Sequence, residues 1–236
     1  MESPLPVSVR LAWWGTAWLR GAISPDDFLD GALGDDVTHV VDGEALLGAA
    51  ASVRALGAHS FGAAHPVESD PVGLGGPAAL NHAAIDAGGA VLVLGAGLAW
   101  VPRHVGPTVE WTTYRADRRQ VPDVGEADRE LRSALPVVAD ALAALDVARW
   151  RPEAADALMN LRRLTPVAAP RGIPERCVDL MTRGLALLDV VELALLDDGA
   201  AVSASQIQQR RDALMPLARS ARRAVTAAAS PEGWPP

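Results

Sequence analysis

The sequence contains no lysine, because all 21 of its basic residues are arginine. This absence excludes three classes of enzyme. A P-loop protein needs a lysine on the phosphates, a pyridoxal-phosphate enzyme needs one for its Schiff base, and a protein kinase needs one on a strand. The exclusive use of arginine, together with many alanine, glycine and valine residues, is typical of a GC-rich bacterial genome.

Cysteine and long apolar runs are also scarce. The single cysteine, Cys177, excludes an intramolecular disulfide and a zinc–thiolate cage, and it predicts a reducing, cytoplasmic location. Its spacing from Met181 and Leu188 predicts core packing. A reactive thiol is the alternative, because Arg176 and the start of a helix beside it would lower the pKa of the thiol. No apolar stretch approaches the roughly 20 residues that cross a bilayer. The first residues carry an acid and no basic cluster, which predicts no signal peptide.

The charge balance does not favour nucleic acid as a partner. The net charge is −8, and the 10 aromatic residues (seven Trp, two Phe, one Tyr) form no repeated stacking platform. The last helical segment is nevertheless basic, with Arg210, Arg211, Arg219, Arg222 and Arg223. We expect the acidic residues of the preceding helix to offset these charges within the fold.

The first half alternates short strands with helices. Apolar periodicity and capping residues predict helices at 7–20, 25–33, 44–56 and 77–87, and strands at 37–41, 59–67, 90–94, 98–104 and 108–115. Strands separated by helices are typical of parallel βαβ units, whereas the last two strands follow short turns and predict an antiparallel edge.

The second half shows only helical periodicity. Helices are predicted around 131–145, 152–161, 174–196 and 203–229, of which 174–196 is apolar on several sides and is expected to be central. Pro136 and Pro216 are expected to kink or split their helices. The sequence therefore predicts an α+β fold with a small mixed, partly parallel sheet. Residues 1–120 form a mixed half with four or five strands and residues 121–236 a half of about four helices, either separate or packed as one unit.

One segment has the features of a ligand site. Residues 65–77 leave the end of a predicted strand and enter a helix through several glycines, where backbone N–H groups attract anions. His65 is the candidate acid or base, with Glu68 or Asp70 to orient it. The candidate ligand-binding residues are Asp42, Gly73, Gly75, Gly76 and Asn81, which parallel strands would bring to one rim of the sheet. The alternative is a glycine-rich loop that only turns the chain.

Other motifs are incomplete. The five histidines show no pair at i, i+4 spacing, so neither a metal site nor a cofactor is predicted. The turn Gly95-Ala96-Gly97 has Trp100 where a dinucleotide fingerprint needs a third glycine, which predicts a tight hairpin. No serine stands in a Gly-x-Ser-x-Gly elbow.

Two functions remain open at this stage. The first is binding of a small, anionic molecule at the strand-end rim, with or without turnover, so enzymatic activity is undecided. The second is a non-catalytic interaction or assembly protein that uses the C-terminal helices as a partner surface, for example in a homodimer. Trp13, Trp14 and Trp18 on the first helix either line an aromatic pocket or anchor that helix in the core.

Overall fold

The computed structural model describes residues 5–144, 164–195 and 204–234, and it confirms the α+β fold. The helices are α1 (Val7–Leu19), α2 (Pro25–Leu33), α3 (Leu46–Ala55), α4 (Ala78–Ala87), α5 (Val124–Ala144), α6 (Glu175–Leu195) and α7 (Ala204–Ala228), followed by a 3-10 turn (Pro231–Gly233). The strands are β1 (Thr38–Val41), β2 (Glu44–Ala45), β3 (Ser60–Ala64), β4 (Ala90–Leu94), β5 (Leu98–Val105) and β6 (Thr108–Arg115). The helix predicted at 152–161 lies outside the described residues.

Local sequence patterns predicted the bounds of several helices and strands correctly. Helix α2 has the bounds that the sequence predicted, and the structure shows why: Ser24 and Asp27 form a reciprocal capping box at its start, and Pro25 occupies its first turn. The bounds of β4 and β6 also agree with the prediction. Strand β2 was missed, because its two residues were assigned to the start of the following helix.

The strands lie in the order β2-β1-β6-β5-β4-β3, and only β1 and β6 run parallel. The expectation that β3 and β4 run parallel is wrong, since Ser60 pairs with Leu94 and Ala64 with Ala90. After β3, residues 65–77 run along the sheet to its other end, where the Asp117 N–H bonds to Gly76 O at 2.9 Å. Helix α4 then returns to the end from which the chain left, and β4 therefore starts beside the end of β3.

The sheet is covered on both faces. Helix α1 packs on the face that carries Phe61 and Trp100, and α4 packs on the opposite face, where Leu80 belongs to one hydrophobic cluster with Leu92 and Val101. This division follows from the alternation of side chains along a strand.

The expectation that α6 is the central helix of the second half is wrong, because in the described structure α7 packs closely against both α5 and α6, which have little contact with each other. Helix α6 is nevertheless buried along much of its length. Its buried residues cover several sides and include Cys177, Leu180, Met181, Leu187, Val190 and Val191. Gly184 permits a close crossing with α7, because a Cβ at this position would lie 2.9 Å from a methyl of Val225. Pro136 and Pro216 lie inside α5 and α7, each of which is one continuous helix. Among the described residues, no helix combines the length and the apolar composition needed to cross a bilayer.

The end of α7 closes the edge of the sheet. The Ala63 N–H of edge strand β3 donates to Ala229 O at 2.9 Å. The Ala228 carbonyl accepts from two indole N–H groups, Trp13 Nε1 at 3.2 Å and Trp234 Nε1 at 2.9 Å. Both an exposed strand edge and the last carbonyls of a helix need partners, and this junction supplies them together. One hydrophobic core accordingly contains residues from both halves.

A buried arginine connects the same region to the chain between β6 and α5. The Arg119 side chain is only 3% exposed and donates to Ala63 O (3.2 Å), Gly73 O (3.1 Å) and Ser230 Oγ (3.0 Å). It also forms a two-point contact with Glu232 at 3.0 and 3.1 Å. The sequence had marked this stretch only as a boundary between patterns.

Gly62 makes room for this arginine. A Cβ at Gly62 would overlap Nη2 of Arg119, and β3 is therefore compatible with the arginine only when this position carries no side chain. The pair explains an otherwise unfavourable glycine in a buried strand.

We expect Arg119→Met to lower the free energy of unfolding by about 3–5 kcal/mol, because it leaves three buried or partly buried acceptors and a carboxylate without their donor. Urea denaturation followed by circular dichroism measures this change. Arg103→Gln is the matched control, because the Arg103 side chain is 74% exposed and pairs with Glu110 at the surface. Its cost is expected to stay below about 1 kcal/mol. Equal losses in the two variants would contradict the structural role of Arg119.

Candidate functional site

The predicted rim does not form, because Asp42 lies far from His65. Asp42 and Gly43 form the β1–β2 hairpin turn with φ values of +49° and +86°, and the Asp42 carboxylate accepts from the Thr113 N–H at 3.2 Å. Strands β6, β5 and β4 separate β1 from β3, which corresponds to roughly 19 Å at the usual strand spacing. The prediction that Asp42 shares a site with His65 is therefore wrong. Its physical cause is the antiparallel order of the sheet.

His65 does not pair with the predicted carboxylates. Its Nε2 lies 3.0 Å from Ser8 Oγ in the first turn of α1, and its Nδ1 is shielded and has no partner in the described part of the chain. Burial lowers the pKa of His65 to about 4, so the imidazole is neutral near pH 7. Glu68 is exposed, and Asp70 faces α7 instead. The acid–base assignment therefore loses the carboxylate that was expected to orient it.

The glycines at the start of α4 pack against the chain itself. A Cβ at Gly75 would come within 2.5 Å of Arg118 O. Gly76 donates its N–H to Asn81 Oδ1 at 3.1 Å and accepts from the Asp117 N–H at 2.9 Å. These backbone groups already have partners within the protein. Gly75, Gly76 and Asn81 therefore form a packed turn, which was the alternative to an anion-binding site.

Gly73 marks a different junction, where residues 67–75 meet α7. A Cβ at Gly73 would lie 2.6 Å from Cγ2 of Thr226. Thr226 is fully buried, and its hydroxyl has no hydrogen-bond partner among the described residues. Arg222 lies one turn earlier on the same side of α7, and its Nε and Nη2 are likewise buried without a partner. On the facing segment, Asp70 Oδ2 is also buried and has no hydrogen-bond partner among the described residues.

We call these three residues, Asp70, Arg222 and Thr226, the seam cluster. A buried polar group without a partner costs about 1–3 kcal/mol, and native proteins leave few such groups. Several of them on two facing elements form a set of donors and acceptors that a small polar molecule would satisfy.

The charges at the seam do not cancel. Arg219 Nε lies 3.9 Å from Asp70 Oδ2, and Arg223 Nε lies 2.9 Å from Glu130 Oε2 of α5. Arg222 has no ion pair within the described residues. Burial lowers the pKa of Arg222 while the Asp70 carboxylate acts in the opposite direction, and a guanidinium stays protonated in either case. The cluster with Arg219 therefore carries one uncompensated positive charge.

Two arginines of the basic helix pair with residues outside α6. The acids of α6 were predicted to offset the arginines of α7, but the described partners of Arg219 and Arg223 are Asp70 and Glu130. The i, i+3, i+7 spacing of Arg219, Arg222 and Thr226 was a visible signal that they share a face. The loop that this face meets is distant in sequence, and helical periodicity does not reveal it.

The tryptophans of α1 do not all have the same role: two are core residues, and one lines a cleft. Trp13 and Trp18 are buried in the core, whereas Trp14 lines a cleft of about 680 Å³ together with Ser24, Asp27 and Arg171. Ser24 and Asp27 already bond to each other in the capping box of α2. Their hydrogen-bonding capacity is largely used, and the cleft offers less to a ligand than the seam cluster.

Cys177 is a core residue and not a nucleophile. It is fully buried, and burial raises the pKa of its thiol to about 12, against the weaker effect of Arg176. In the part of the chain that the structure describes, no group of three or more His, Cys, Asp or Glu side chains is placed to hold a metal ion.

Fold and site define an α+β protein in which a mixed sheet and a helical layer meet at a polar seam. Two family models match the chain: Rv1486c-like protein, N-terminal domain, over residues 8–124, and Rv1486c-like protein, C-terminal domain, over residues 125–226. The chain belongs to the Rv1486c-like protein family. No curated protein and no solved structure matched it.

The neutral state of His65 predicts a pH-dependent stability. The pKa of His65 is lower in the folded protein than in the unfolded chain, which therefore binds more protons at mildly acidic pH. Stability should fall as the pH drops below about 6.5 and level off below about 4, by a total of about 3 kcal/mol. Urea midpoints across this range measure it. His65→Gln should remove the part of the fall due to His65 and leave the contribution of His39, whose pKa is also lowered by burial, and His82→Gln, at an exposed histidine, should leave the whole profile unchanged. An unchanged profile in His65→Gln would refute the assignment.

Two buried threonines make a matched pair for testing the seam. The Thr16 hydroxyl donates to Phe61 O and accepts from the Phe61 N–H, both at 2.9 Å, whereas the Thr226 hydroxyl has no partner in the described structure. Thr16→Val should cost about 1–3 kcal/mol of unfolding free energy. Thr226→Val in ligand-free protein should be neutral, or stabilising by about 1 kcal/mol. A large loss at Thr226 would show that its hydroxyl is already satisfied.

Proposed function

We propose that the protein binds a small anionic molecule at the seam between residues 67–75 and α7, with Arg222 as the residue that holds the anion. The observation that carries this proposal is the state of Arg222: it is partly buried, its neighbours Arg219 and Arg223 are paired, and its own Nε and Nη2 have no described partner. The proposal keeps Asp70 and Gly73 from the predicted site. The proposed position of the anion is now the face of α7 and not the start of α4.

The chemistry of these donors favours a carboxylate or a phosphate. Nε and Nη2 lie on one edge of the guanidinium and match two oxygens of such a group with two parallel hydrogen bonds. Thr226 can donate a further bond from its hydroxyl. Thr226 is fully buried and the Asp70 side chain is only 14% exposed, so a ligand that reaches both would be largely removed from water.

The arrangement supports binding more than turnover. His65 bonds to Ser8, which is 2% exposed, and neither reaches a carboxylate in the described structure. The second function, an oligomer or partner surface on the C-terminal helices, has less support, because α6 packs extensively against α7 within the chain. A buried, free cysteine fits a cytoplasmic location, and a cytoplasmic metabolite is the natural class of ligand.

Thermal unfolding with inorganic phosphate or acetate tests the proposal directly. A ligand at ten times its Kd stabilises the folded protein by about 1.4 kcal/mol. For a chain of this size that corresponds to a rise in Tm of about 3–6 °C. We expect this rise in the unmodified protein with at least one of the two anions, measured against sodium chloride at equal ionic strength, because specific binding exceeds general screening.

Two substitutions on the same helix give the control. Arg222→Gln should abolish the rise, and Arg211→Gln, which removes the same charge from an exposed position of α7, should preserve it. If neither anion exceeds chloride, or if the two variants respond equally, the protein does not bind anions through Arg222.

A further inference from the structure

We infer that the protein has a second site, the cleft beside Trp14, and that this cleft binds a small zwitterion with an apolar side chain. A free hydrophobic amino acid is the simplest molecule of this class. The cleft has a volume of about 680 Å³ and lies between the turn from α1 to α2 and the chain that precedes α6. Cavities of this size commonly hold small molecules. The Trp14 cleft shares no residue with the seam cluster, so the two sites are independent.

Two opposite charges line the Trp14 cleft without meeting. Asp27 belongs to the first turn of α2, and Arg171 belongs to the chain before α6, on another wall of the cleft. No nitrogen of Arg171 lies within 4.0 Å of an Asp27 oxygen, and neither side chain has an ion pair within the described structure. A molecule with a cation at one end and an anion at the other is therefore complementary to this cleft.

The Asp27 carboxylate keeps both its charge and a free acceptor. Its Oδ2 accepts from the Ser24 N–H at 3.2 Å and from the Ser24 hydroxyl at 2.7 Å. These bonds lower the pKa of Asp27 below its usual value, so the group is ionised near pH 7. Its Oδ1 has no hydrogen-bond partner in the part of the chain that the structure describes. An ammonium group, which only donates, matches this oxygen.

An apolar wall accompanies the two charges. Trp14, Ile23 and Pro170 contribute to it, and Trp14 is only half-buried. A Cβ at Gly31 would overlap Nε1, Cδ1 and Cε2 of the indole, so the ring of Trp14 occupies the space that a side chain would need on α2. The indole is thus held in place before any ligand arrives, and an aromatic or aliphatic side chain can pack on the surface that α2 leaves uncovered.

Three probes of similar size separate the two charges: L-phenylalanine carries both, hydrocinnamate lacks the ammonium group, and phenethylamine lacks the carboxylate. Heteronuclear NMR titration of the isotope-labelled full chain gives the Kd of each probe and shows which amides respond. A solvent-exposed ion pair changes an affinity about two- to fivefold. L-phenylalanine should therefore bind about two- to fivefold more tightly than either analogue, with the shifts concentrated at residues 21–27 and 170–172.

Matched substitutions assign each charge to its residue. Asp27→Asn keeps an oxygen for the capping box, and it should remove the advantage of L-phenylalanine over hydrocinnamate. Asp26→Asn, in the same turn but outside the cleft, should preserve that advantage. Arg171→Gln should remove the advantage over phenethylamine, and Arg176→Gln, at an exposed arginine outside the cleft, should preserve it.

Glycine tests the apolar wall, because it has the same two charges and no side chain. It should bind at least about fivefold more weakly than L-phenylalanine, since even partial burial of a phenyl ring is favourable. Equal binding of L-phenylalanine and glycine, equal binding of L-phenylalanine and its two analogues, or shifts elsewhere on the protein would overturn the inference. An equal response of Asp27→Asn and Asp26→Asn would overturn it as well. Anion binding through Arg222 is measured separately and stands or falls on its own result.

Discussion

The buried guanidinium of Arg119 is the constraint on which the arrangement of the two halves depends. Removing a charged group from water costs several kcal/mol, and the cost is offset only if its N–H groups find acceptors. Arg119 obtains them from β3, from Gly73 and from the chain after α7. These segments are remote in sequence, so the interaction is complete only when all of them are in place. Gly73 also touches Thr226, and the geometry of the seam cluster therefore depends on Arg119.

The end of α7 reinforces the same junction by different means. Its last carbonyl accepts two indole N–H groups, and the following residue pairs with the free edge of β3. These contacts fix the position of α7 along its axis and thereby the position of Arg222 relative to Asp70. A ligand at the seam would contact both halves of the chain at once. Its binding energy would consequently add to the stability of the junction and not only to that of one loop.

The sequence predicted local structure better than it predicted the site, for physical reasons that particular residues illustrate. Ser24 and Pro25 define the start of α2 through contacts within one turn, and the apolar run of β4 indicates a buried strand without further information. The direction of β4 relative to β3 depends on the path of residues 65–77 across the sheet. The hydrogen bond between Gly76 and Asp117 fixes that path, and no local sequence pattern predicts it. The same limit applies to Arg222: helical spacing shows which residues share its face, but not that Asp70 opposes it.

The contrast between the two arginines of this junction is the best argument that the seam cluster serves a function. Arg119 is buried and Arg222 is partly buried where α7 and the residues after it meet the 65–75 region. Every nitrogen of the Arg119 guanidinium has a partner, whereas Nε and Nη2 of Arg222 are shielded and have none in the described structure. Apolar residues of similar size at positions 70, 222 and 226 would avoid the unfilled donors and acceptors, and such replacements are often neutral or stabilising. A protein that satisfies one buried arginine so completely has the means to satisfy a second. Polar groups that break this rule within an otherwise consistent fold are typical of binding sites, where the partner comes from solution.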